Sequence, residues 1–211
     1  MVPHLPSRSN MAKIIFDRLL QKNVLHAHDL DDLAKVDVTS PANEDVLQYD
    51  SATATWKNGG IKMPHLEQSD TTDQAIANVS NAQVITFNTD SHHQDITRTS
   101  SSRFTITRAG SYLITFSGIA KGATGKLIEV WLRLNGNDVA NSNTIYTFKG
   151  SALLTVIAVN FLHHFAANDY FEFWTWGDDT SSTWEATAAG TTPTRPACPS
   201  IIITCNFVSG D

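Results

Sequence analysis

Residues 127–139 read Leu127-Ile128-Glu129-Val130-Trp131-Leu132-Arg133-Leu134-Asn135-Gly136-Asn137-Asp138-Val139. Successive side chains of a strand point to opposite faces. The run therefore places Ile128, Val130, Leu132 and Leu134 on one face and Glu129, Trp131 and Arg133 on the other. Asn135-Gly136 follows at once, and both residues tolerate the positive φ that a two-residue hairpin turn demands. A half-buried strand that reverses on Asn-Gly and returns over 139–148 is the building block of an antiparallel sheet.

The same texture extends in both directions. Residues 82–88 alternate Val84 and Thr86 with Ile85 and Phe87, and 103–107 pair Phe104 with Ile106. Gly110 precedes a strand over 112–118 with Tyr112, Ile114 and Phe116 on one face, and 153–165 is a long strand apolar on both faces. Ala167-Asn168-Asp169 turns the chain into the aromatic strand 170–176, and 200–208 closes the series with Ile201, Ile203 and Phe207. The His-, Ser- and Thr-rich stretch 89–102 reads as an exposed loop. About eight to ten strands with no helix-period segment between them predict an all-β, jelly-roll sandwich head over 81–211.

The preceding residues differ. Residues 12–22 place Ile15, Phe16, Leu19 and Leu20 on one side of a short amphipathic helix, too short to be stable alone in water and so a candidate anchor that needs a partner surface. Two short extended pieces around Pro41 follow, with Leu47, Tyr49 and Trp56 as anchoring side chains. Residues 1–60 then form an extended N-terminal attachment arm, and the polar, aperiodic 61–80 form a hinge.

Two resemblances sharpen this reading. The string Leu33, Asp37-Val38, Pro41, Val46-Leu47-Gln48-Tyr49-Asp50 and Trp56 resembles a linker unit of phage tail-fibre and other virion appendage proteins, with Glu44 where a turn glycine is usual. Residues 82–207 resemble the tumour-necrosis-factor and complement-type globular heads in Gly110-Ser111-Tyr112, the Leu134-Asn135-Gly136 hairpin, the Asn168-Asp169 turn and the Pro199-Ser200 lead-in to the last strand. The likeness is greatest to virus-encoded versions that share Arg195-Pro196-Ala197-Cys198-Pro199-Ser200-Ile201. Such heads pack as trimers, which makes Ile157, Val159, Phe161 and His163 on the long strand the candidate trimer interface.

Composition narrows the partners. A formal net charge of -6 with only 17% charged residues among 211 offers no phosphate-tracking surface, so no nucleic acid is expected. The most apolar run, 152–162, falls short of the ~20 residues that span a bilayer, and no membrane insertion is expected. The first residues lack a signal-peptide pattern, and Cys198 and Cys205 read as free thiols, as expected of a protein made in a host cytoplasm.

No catalytic constellation emerges, and no cofactor or metal is expected. Lys121-Gly122-Ala123-Thr124-Gly125-Lys126 lacks the first glycine and the Ser/Thr of a phosphate loop. His26, His28 and Asp29, and His92, His93 and Asp95, have no distant third ligand and read as solvated loops. The best candidate ligand patch is aromatic and acidic: Trp174, Trp176, Asp178, Asp179 and Trp184. The expectation is a non-enzymatic virion structural protein of a tailed phage, a homotrimeric short fibre, knob or capsid decoration held by its arm to capsid, neck or tail. The alternative is a receptor-binding tip that grips a host surface glycan.

Overall fold

The computed structural model describes residues 35–42, 45–50, 52–60 and 62–210. Two compact units divide the chain, Met1–Lys62 and Met63–Asp211. The predicted helix with Ile15, Phe16, Leu19 and Leu20 lies outside the described residues.

In the first unit, β1 (Val36–Asp37), β2 (Val46–Asp50) and β3 (Thr55–Gly59) make a three-stranded sheet ordered β1-β3-β2. The two extended pieces on either side of Pro41, β1 and β2, are both hydrogen-bonded to β3, which lies between them, β1 parallel and β2 antiparallel to it. Lys57 Nζ sits 2.8 Å from Asp50 Oδ2 and holds that carboxyl down at about 2. No described residue of this unit is buried, and Val46, Leu47, Tyr49 and Trp56 are all exposed.

The second unit is an all-β jelly roll. In chain order its strands are β4 (His65–Asp70), β5 (Gln74–Ala75), β6 (Gln83–Val84), β7 (Thr89–Gln94), β8 (Ile96–Arg98), β9 (Phe104–Ile106) and β10 (Gly110–Lys121). There follow β11 (Leu127–Leu134), β12 (Asn137–Asp138), β13 (Thr144–Thr147), β14 (Thr155–Phe165), β15 (Tyr170–Gly177), β16 (Thr183–Trp184), β17 (Gly190–Thr191), β18 (Thr194–Arg195) and β19 (Ile201–Ser209). One sheet runs β14-β10-β19-β4-β7, with β16 and β5 continuing beside the end of β10. The other joins β11, β15, β9 and β8, with β12 and β13 on β11 and β6 on β15. The long strands pass back and forth between the sheets, which is how a jelly roll encloses one core.

Alternation fills that core. Tyr112, Ile114 and Phe116 of β10 and Ile201, Ile203 and Cys205 of β19 are fully buried, as are Ile128 and Val130 of β11 and Phe171 and Phe173 of β15. Rings meet across the gap, Phe116 with Phe173 at 5.0 Å and Phe165 with Phe171 at 5.8 Å between centroids. Each such side chain contributes roughly 1.5–3 kcal/mol by leaving water. At the Asn135-Gly136 turn both residues take positive φ, 49° and 81°, as the hairpin reading requires.

Four readings are corrected. Residues 61–80 are no hinge: they hold β4, which lies between β19 and β7, and β5. Its inward residues include Gln68 and Asp70, both buried, so no apolar alternation marks it. Residues 89–102 hold β7 and β8 instead of a loop. The return over 139–148 is broken by Ser142, whose Oγ accepts from Leu132 N at 3.1 Å and donates to the Val139 carbonyl at 2.7 Å. The predicted strand over 82–88 pairs only at Gln83–Val84, while Ile85 and Phe87 reach the core from irregular backbone.

Candidate functional site

Among the described residues β14 is hydrogen-bonded on one side only, to β10, through an antiparallel ladder from Gly110↔Phe165 to Ala120↔Thr155. Its alternation sends Ile157, Val159, Phe161, His163 and Phe165 toward the interior and Val156, Ala158, Asn160, Leu162 and His164 outward. The candidate interface residues Ile157, Val159 and Phe161 therefore belong to the core cluster or pack against it. His163 stacks edge-on against Phe165 at 4.9 Å, and burial pushes its imidazole below the ordinary value, partly offset by Asp169. The strand is apolar on both faces, as its sequence indicated, but the exposed face is the one opposite the candidate interface residues.

On that outward face Val156 is 65% and Leu162 69% exposed. Register extends the patch across the sheet: Leu162 lies beside Leu113, Val156 beside Ile119, and Ala158 and Ile202 flank Ser117. Leu153 and Leu154, just before the strand, are also exposed. Further across the same face the character changes to His65 and Glu67 on β4, with His92 of β7 opposite Glu67. The exposed apolar side chains on this side are neighbours in register, not scattered singly.

The aromatic and acidic patch does not assemble. Trp184 is fully buried, its indole N–H donating to Thr175 Oγ1 at 3.1 Å, and its ring packs on Phe116 at 5.3 Å. Trp174 and Trp176 do share the outer face of the second sheet. Arg133 covers the Trp174 ring at 3.9 Å from its centroid, and Trp176 donates to the Val79 carbonyl at 2.7 Å. Asp178 accepts from Leu127 N at 2.9 Å, and Asp179 from Ser181 N at 2.8 Å, so both carboxylates brace turns. Three of five residues are thus parts of the scaffold and the remaining two are capped by neighbours.

Cys198 is exposed, Cys205 is buried, and both are free; burial pushes the Cys205 thiol far up. Among the described residues no group of three or more His, Cys, Asp or Glu could hold a metal ion. No helix among them is long and apolar enough to cross a membrane.

No family model matches the chain, and no curated protein matches it. Among solved structures, murine APRIL is similar at 11% identity and a TM-score of 0.45, over 70% of this chain and 100% of that one. The globular domain of zebrafish complement 1qA protein is similar at 12% identity and a TM-score of 0.45, over 71% of this chain and 98% of that one.

Proposed function

We propose that this protein is a non-enzymatic, self-assembling structural component of a phage virion, a homotrimeric short fibre, knob or decoration whose N-terminal unit attaches to the particle. The observation that carries the assembly reading is the outward face of β14 and its neighbours, where Val156, Leu162, Leu113 and Ile202 lie exposed. Among the described residues β14 also has no strand paired to its second backbone edge. Natural sheets shield such an edge, and a sister chain does so while covering the apolar face. A stable interface of this kind removes ~800 Å² per partner from water.

Three copies are supported by the resemblance of residues 82–207 to trimeric globular heads, and the virion setting by the string between Leu33 and Trp56. The first unit supports an attachment role in its own right. A three-stranded sheet that buries no residue and exposes Tyr49 and Trp56, rings 5.4 Å apart, gains stability by docking. Three such weak contacts tethered to one head act together, so modest single-site affinity becomes durable attachment.

Sedimentation of the full chain at micromolar concentration tests assembly, with three copies the expected result. Val156→Lys with Leu162→Lys should give a monomer with unchanged near-UV circular dichroism. A wild-type monomer would sink the trimer. Deleting residues 1–60 should remove the protein from particles, and particles that still carry the head would place attachment elsewhere.

A further inference from the structure

The outer face of the second sheet carries a cleft of about 290 Å³ lined by Glu129, Trp131, Asp138, Val139, Asn141 and Asn143. Its walls come from one supersecondary unit. β11 supplies Glu129 and Trp131, the Asn135-Gly136 turn brings Asp138 back opposite Arg133, and the loop pinned by buried Ser142 supplies the asparagines.

The polar groups are held in place by their own neighbours. Trp131 Nε1 donates to Asp138 Oδ1 at 2.7 Å, and Arg133 Nε donates to the same oxygen at 2.6 Å. These two bonds keep the Asp138 carboxyl below the usual carboxylate range. Asn143 Nδ2 donates to Glu129 Oε2 at 2.6 Å. Each carboxylate is thus fixed through one oxygen, while Glu129 Oε1 and Asp138 Oδ2 take no partner among the described residues. The indole edge is fixed too, so the ring needs no ordering when something packs on it.

The lining selects a ligand class. Two carboxylates without a lysine or arginine along the wall reject anions, and two carboxylates with amides fall short of a cation cage. What remains is a neutral molecule with an apolar flank and many hydroxyls. Its C–H face would lie on Trp131 and Val139, and its O–H groups would donate to carboxylate oxygens in charge-assisted hydrogen bonds. Amide side chains at 141 and 143 supply both donors and acceptors. The volume is at the lower end of small-ligand sites.

We infer that this cleft is a saccharide-binding site, with Trp131 as the stacking platform and Glu129 and Asp138 as the hydroxyl acceptors. It lies on the sheet opposite the assembly face. Binding of a free sugar is therefore a property of each chain and does not rest on the trimer.

The test uses the full chain and methyl glycosides of glucose, galactose, mannose and N-acetylglucosamine, with saturation-transfer NMR and titration calorimetry. At least one glycoside should bind, and Trp131→Ala and Glu129→Gln should each weaken it by about tenfold or more, about the worth of one good contact. Trp131→Phe should retain part of the affinity, and Trp174→Phe, outside the cleft on the same face, all of it. Leu162→Lys should bind as wild type does, which separates this site from the assembly reading. No binding of any of the four by the wild type overturns the inference, as does equal binding by folded Trp131→Ala and Glu129→Gln.

Discussion

Gly118 and Trp184 are a matched pair in the core. A Cβ built on Gly118 would lie 2.6 Å from the Trp184 ring, and that ring is fully buried. Gly118→Ala should therefore cost about 1–3 kcal/mol by overpacking, and Trp184→Ala about 3–5 kcal/mol by cavity formation. In urea melts the glycine substitution should become nearly neutral in a Trp184→Leu background, because the clash has gone. His163 offers a second test at this scale. Its folded imidazole binds a proton less readily than the ordinary value of 6.5 because it is buried, with Asp169 opposing and His164 adding to the shift. The unfolded chain then holds more protons below that value, so stability is complete above pH 6.5 and falls as pH drops through the lowered folded value. The urea midpoint of the wild type should fall more between pH 7.5 and 5.5 than that of His163→Gln.

Among the elements, those with an apolar inner face were legible from residue patterns, and those without were not. β11, β10 and β19 alternate so cleanly that their inward residues could be named in advance, and Asn135-Gly136 marked its turn by chemistry alone. Asn135 does more than turn the chain, since its Nδ2 donates to Asp169 at 2.7 Å and its Oδ1 accepts from Tyr170 N at 3.0 Å. Asn135→Ala should cost about 1–2 kcal/mol through those two bonds, measured by thermal unfolding. β4 escaped notice because Gln68 and Asp70 point inward: Gln68 Nε2 donates to Asp90 while its Oε1 is buried without a partner among the described residues, and Asp70 accepts from Thr72 and Asn88. A periodicity of apolar residues cannot register a strand whose buried face is polar. For β14 the period was right but the faces were exchanged, because an edge strand apolar on both sides carries no local mark of which side is inner. The ligand patch failed for a related reason. Aromatic density marked β15, yet burial of Trp184 depends on Gly118, a residue far away in sequence. Trp131 did carry a signal, an outward Trp flanked by acidic and asparagine-rich positions.

At the scale of the whole molecule, the second unit begins within the polar stretch 61–80 read as separating arm from head, at Met63. A chain starting at Met63 should fold and melt cooperatively. One starting at Asn81 removes β4 from between β19 and β7, and should show no cooperative melt and no near-UV signal. Circular dichroism of the two chains checks this directly.

The position of β4 also governs how the protein comes off the ribosome. Its backbone pairs with β19, and Ser200 reaches back to the Asp70 carbonyl across 130 positions of chain. Emerging residues must wait with one side of β4 unfilled until the last strand of the sandwich has been made. A nascent chain stopped anywhere before it leaves one backbone edge of β4 without the strand that fills it.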